Sequence, residues 1–187
     1  KVRYRMAWDR RSILRTLSDR LAARDHVAAI VGADHLPRIL GVVDHPTDLE
    51  RGRLPREYVL KVTHGSGGSI LVADGLARGT GIPDASTLRT WPRLRLHPDD
   101  VDPRRADAIL ARLLGWDFSW RPVKPLTLQW AYRDVPRRVV VEELLRDHDG
   151  RLPDDLKVMV SHGRPELIVI ERVDGNGQRR TPAFTPD

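Results

Sequence analysis

From Ser12 to Gly32 the apolar residues Ile13, Leu14, Leu17 and Leu21, then Val27, Ile30 and Val31, recur at three- and four-residue intervals. That period predicts an amphipathic helix, with Ser12 placed to cap it and Gly32 to stop it. His35 to Val43, where Pro37 and Gly41 interrupt Leu36, Ile39, Leu40, Val42 and Val43, predicts a short extended segment, and residues 44–55 a polar connection. Tyr58-Val59-Leu60-Lys61-Val62 and Ser69-Ile70-Leu71-Val72 are β-rich runs on either side of a glycine-rich turn, so two adjacent strands are expected. Residues 74–98, rich in Gly, Pro, Asp and Arg without a sustained period, predict a long surface loop. Asp102-Pro103 opens a helix that places Ala106, Ile109, Leu110, Leu113 and Leu114 on one face and ends at Gly115. After the connection holding Trp116, Trp120 and Trp130, a buried strand is expected at 138–142. A hairpin follows at 157–160 and 166–170, turning at His162-Gly163, and no further strand or helix is expected after Asp174.

With 187 residues, 40% hydrophobic and 31% charged, the chain suits one soluble domain or two small lobes sharing a cleft. No apolar run approaches the roughly 20 residues a bilayer crossing needs, and the basic first residues lead into no apolar leader segment. The absence of cysteine removes disulfides and thiolate chemistry and fits a reducing cytoplasm. A net charge of +6 and a pI near 10.3 raise the question of nucleic acid. However, 28 of the 32 basic residues are arginine, interspersed with acids along the whole chain. This distribution argues for an arginine preference over a binding stripe, and nucleic acid is not the expected partner.

Three segments carry candidate chemistry. In Lys61-Val62-Thr63-His64-Gly65-Ser66-Gly67-Gly68 a lysine near the end of a strand precedes a glycine-rich turn. Glycines let backbone N–H groups surround phosphate oxygens, and an ammonium supplies compact positive charge. A plain hairpin turn beside an exposed lysine is the competing explanation. A Walker A loop fails for want of a closing Gly-Lys-Ser/Thr, and a nucleophile elbow around Ser66 fails because His64 stands where glycine is needed. In Val139-Val140-Val141-Glu142-Glu143-Leu144, two carboxylates interrupt a buried strand. Either they serve a cleft, accepting hydrogen bonds from a base or ribose, or the strand simply ends at solvent. Asp155 and Lys157, two apart at a strand start, share a face and suit either a ribose and a phosphate or each other.

In order along the chain, these segments resemble the TupA-like ATP-grasp family. The matching pieces are Trp8-Asp9-Arg10, Ser18-Asp19-Arg20 with Ala23-Arg24, Gly41-Val42, Tyr58 to Lys61 with His64 to Gly68, Gln129-Trp130-Ala131-Tyr132, Val141 to Leu144, and Pro153 to Lys157. The resemblance implies an α+β, ATP-grasp-like fold, with two β-containing lobes and helices around a nucleotide cleft. A helical segment would span 1–54, a first lobe with the glycine-rich loop 55–142, and the start of a second, incomplete lobe 143–187. It places Lys61 on the phosphates of ATP, with His64, Gly65, Ser66, Gly67 and Gly68 folding over them. Glu142 and Glu143 would lie beside adenine, with the Leu144 amide on the ring. Asp155 would meet the ribose, and Lys157, the catalytic candidate, would face the phosphates or an acidic substrate. The implied activity is ATP-dependent carboxylate–amine ligation through an acyl phosphate, on a small molecule or polymer precursor bearing a carboxylate, in the synthesis of teichuronopeptide-like surface polymers. A noncatalytic nucleotide-binding remnant, or a protein accompanying a glycosyltransferase, is the alternative. Leu156 departs from the family's usual aromatic residue, and the 74–98 loop is long for it. The strands that carry the Mg2+ ligands would lie beyond Asp187, so no metal ligand is assigned, Glu171 and Asp174 included. Oligomeric state and catalytic competence stay open.

Overall fold

The computed structural model describes residues 8–119, 129–173 and 179–186. The chain divides into two compact units, Lys1–Leu144 and Leu145–Asp187.

In the first unit the helical stretch begins with α1 (Ile13–Ser18) and α2 (Arg20–Val31). The single helix expected from Ser12 to Gly32 is thus broken at Asp19, whose extended backbone (φ −86°, ψ 123°) lets its carboxylate accept from the Leu21 amide at 2.9 Å. An aspartate caps a helix more favourably than it continues one. The apolar period runs across the break and conceals it.

Five strands follow: β1 (Ile39–Val43), β2 (Tyr58–Val62), β3 (Ser69–Val72), β4 (Arg93–Leu96) and β5 (Val139–Glu143). They form one sheet in the order β1-β5-β2-β3-β4, antiparallel except for the parallel pair β3 and β4. Strand β4 lies inside the 74–98 segment expected to be loop throughout. Its four residues, Arg-Leu-Arg-Leu, do alternate, but the run is too short and too arginine-rich to stand out from the polar residues around it.

Helix α3 (Pro103–Gly115) forms as expected, its first turn capped by the Asp102 side chain on the Arg104 and Arg105 amides. Its buried face of Ala106, Ile109, Leu110 and Leu113 joins Tyr58, Leu60, Val62, Ile70, Val72, Leu96, Val139 and Val141 in one core. Each of the larger of these side chains contributes about 1.5–3 kcal/mol on leaving water. Because side chains alternate along a strand, filling this face leaves Val59 and Lys61 on the other face of β2.

The second unit is a hairpin of β6 (Asp155–Ser161) and β7 (Arg164–Val173), turning at His162 and Gly163, both with positive φ. The tail expected to be free of structure adds β8 (Arg179–Arg180) and β9 (Ala183–Phe184), each paired to β7. Strands of two residues hold no readable period; their backbone pairs because β7 offers an edge. The architecture is therefore mixed α+β, with two sheets and few helices. No helix among the described residues is long and apolar enough to cross a membrane.

Candidate functional site

The face of the first sheet away from α3 carries polar chemistry in register. Across the strands, one row runs Val42, Val140, Lys61, Ser69, Arg93, and the next runs Ile39, Glu142, Val59, Leu71, Arg95. The rows are apolar on β1, carry Val140 and Glu142 on β5, and are cationic on β4. The Lys61 ammonium is ion-paired with the Glu142 carboxylate, both side chains partly withdrawn from solvent. Arg93 and Arg95 are exposed and make no ion pair with the described residues.

The turn between β2 and β3 is held from several sides. Gly65, Gly67 and Gly68 have φ of 98°, 105° and 64°, and they lie against an aromatic wall. A Cβ at Gly65 would come within 2.8 Å of Phe118, and one at Gly68 within 2.7 Å of the Trp91 ring. Trp91 packs edge-on against His64, Trp116 and Phe118, and Phe118 against Tyr132. On another side stands Arg20, the first residue of α2. Its Nε donates to the Val62 carbonyl at 2.8 Å, and its Nη2 to the carbonyls of Gly67 at 3.0 Å and Gly65 at 3.3 Å. The Arg20 amide donates to the Thr63 carbonyl at 3.2 Å. Burial lowers the Arg20 pKa, against the attraction of nearby Glu142, but an arginine keeps its charge in a protein.

His64, expected over a phosphate with the rest of the turn, has its side chain buried at 1% exposure. Its Nε2 lies 3.0 Å from the Trp116 carbonyl, which can only accept, so Nε2 carries the proton; Nδ1 is buried without a hydrogen-bond partner among the described residues. Burial pushes the imidazole pKa below its ordinary value. What this side chain does is anchor the turn. Thr63 anchors it too, its hydroxyl bonded to the Pro136 carbonyl and receiving the Arg138 amide at 2.9 Å. With the turn's carbonyls so engaged, the amides of Ser66, Gly67 and Gly68 donate to no acceptor among the described residues.

Glu143 closes the β1 end of the sheet. Its carboxylate accepts from the Arg38 amide at 2.6 Å, and its own amide donates to the Arg38 carbonyl at 2.9 Å. Leu144 follows directly, half-buried. In the second unit Asp155 and Lys157 do share a face, and the Lys157 ammonium reaches Asp155 at 2.7 Å and Glu171, opposite on β7, at 2.8 Å. Hydrogen bonds to Asp155, then Glu171, raise the lysine's pKa. All three are at least partly exposed.

The structure thus gathers Lys61, Glu142 and the turn in one unit, and Asp155 with Lys157 in the other. Sequence spacing gave no signal for Arg20 or Trp91, since the carbonyls Arg20 holds lie 42 to 47 residues away. No group of three or more His, Cys, Asp or Glu able to hold a metal ion occurs among the described residues. Compared with protein-family models, with curated proteins and with solved structures, the chain matches none.

Proposed function

We propose that this chain binds ATP in the manner of an ATP-grasp protein and serves an ATP-dependent carboxylate–amine ligase of surface-polymer synthesis. The observation that carries the reading is the turn at residues 65–68, whose Ser66, Gly67 and Gly68 amides have no acceptor among the described residues, at the end of the strand that carries Lys61 and near the cationic edge of the sheet face. Amides converging on one concavity bind anionic oxygen, and a lysine adds charge to it. Glu142, Glu143 and Leu144 at the end of β5 are assigned to the purine.

In the reaction proposed, a substrate carboxylate oxygen attacks the γ-phosphorus and ADP leaves. The amine then attacks the acyl phosphate carbon, loses a proton, and phosphate departs. Lys61 offsets charge on the transferred group once phosphate replaces Glu142 as its partner. Magnesium, which the resemblance also implies, finds no cluster of donors among the described residues, and no step is routed through it.

Calorimetric titration of ATP with magnesium into the purified chain tests the reading. Saturable binding is expected, weakened by about 1–3 kcal/mol in Lys61→Ala. Absence of binding by the unaltered protein overturns it. A second reading, nucleotide binding without turnover, draws support from the engagement of Lys61 by Glu142 and of Lys157 by two acids. Release of ADP in the presence of acid and amine substrates separates the two.

A further inference from the structure

Nucleotide binding as proposed leaves Arg20 without a task, yet a largely buried guanidinium has been committed to two backbone carbonyls of the turn and to that of Val62 at the end of β2. The geometry of those bonds fixes more than the carbonyls. Peptide groups are planar, and none among the described residues is cis. A carbonyl drawn toward Arg20 therefore sends the next residue's N–H in the opposite direction. The Gly65 carbonyl and Ser66 amide form one such group, and the Gly67 carbonyl and Gly68 amide another.

Val62 sharpens the point. In a regular antiparallel pair Val62 and Gly68 would exchange two hydrogen bonds. Here the Val62 amide does donate to the Gly68 carbonyl at 3.3 Å, but the Val62 carbonyl is taken by Arg20 Nε at 2.8 Å. Gly68, itself buried, donates no hydrogen bond to that carbonyl or to any other acceptor among the described residues. Glycine φ values between 64° and 105° allow this arrangement, and the Trp91 and Phe118 rings limit its relaxation.

We propose that Arg20 is the positioning residue of the glycine turn, holding the Val62, Gly65 and Gly67 carbonyls on its own side so that the Ser66 and Gly68 amides form a two-donor nest for a phosphate oxyanion. The identification of that phosphate with ATP rests on the function proposed above; the nest itself accepts any phosphate group. A lysine could supply the charge but not the planar fork that spans the carbonyls.

The test is an amide-resolved NMR titration of the full chain and its Arg20→Gln and Arg20→Lys variants with inorganic tripolyphosphate, ATP and adenosine in turn. In the unaltered protein, tripolyphosphate is expected to shift the Ser66 and Gly68 amides. Arg20→Gln is expected to weaken tripolyphosphate and ATP by about tenfold or more, the scale of a charged hydrogen bond, with adenosine unchanged. Arg20→Lys should recover only part of the loss. Unshifted Ser66 and Gly68 amides in the unaltered protein overturn the nest. Unchanged anion affinity in the variants, or full recovery with lysine, overturns the positioning role and leaves nucleotide binding standing. Shifts with tripolyphosphate but no preference for ATP over it keep Arg20's role and overturn the nucleotide. Should Arg20→Gln lose the dispersed spectrum of a folded protein, Arg20→Lys carries the same comparison.

Discussion

The turn at residues 65–68 and the hairpin of β6 and β7 each bring a cation among oxygen acceptors, and they use it differently. Arg20 spends its donors on carbonyls in a largely buried place, where an unmade hydrogen bond costs about 1–3 kcal/mol. Lys157 meets two carboxylates near solvent, where water competes for both partners and salt screens them. The short distances at Lys157 are no guide to its worth. A cation withdrawn from water fixes local geometry; an exposed one is left available for exchange with a ligand.

The largest effect that tests this contrast is expected from Gly68→Ala. The new Cβ would meet the Trp91 ring at 2.7 Å and Val62 at 3.1 Å, with φ at 64°. Overpacking against rigid neighbours and a left-handed backbone together cost roughly 2–4 kcal/mol, to be measured by urea unfolding. An unchanged midpoint would mean that the aromatic wall does not hold the turn.

A smaller effect is expected from His64, and its sign follows from burial. The folded-state pKa lies below the ordinary value of 6.5 because the charged form is desolvated. Above that value the imidazole is neutral in both states and contributes nothing to pH dependence. As pH falls below it, the unfolded chain takes up a proton that the folded one refuses, so stability declines until the folded-state pKa is passed. Urea midpoints measured from pH 7.5 to 5 should fall for the unaltered protein and fall less for His64→Gln, which keeps a donor for the Trp116 carbonyl. Equal slopes would remove His64 as the cause.

The same contrast explains what was legible in the sequence. Tyr58 to Val62 alternates, and its buried Tyr58, Leu60 and Val62 left Lys61 on the other face as the pattern required. Asp102-Pro103 announced α3 because capping is local chemistry. The glycines of the turn announced unusual backbone. What they could not announce was the partner imposing it, because Arg20 and Trp91 come from distant positions and their bonds are set by tertiary packing. Strand β4 and the two-residue strands β8 and β9 were hidden for another reason: their pairing comes from the edge they join, and they are too short to carry a period. Ser18-Asp19-Arg20 was noticed as a motif without a task, and the structure gives two of its members one. Asp19 breaks and caps the helix, and the break sets Arg20 at the turn.

The smallest effect on stability belongs to Lys157→Ala, and its smallness is informative. Removing the ammonium leaves Asp155 and Glu171 opposite each other across the strands, a like-charge pair close to water. Their repulsion should appear as a slight loss of stability at low ionic strength that vanishes in added salt, since exposed charges are screened over about 10 Å at 0.1 M. Ligand binding is the second readout. If Lys157 meets a phosphate or an acidic substrate, the same variant loses affinity or turnover while its urea midpoint in salt stays put, because an exposed lysine can exchange one set of anionic oxygens for another at little cost. A midpoint that drops in high salt as well would show instead that the hairpin depends on the lysine, and that its carboxylate partners are not its to give up.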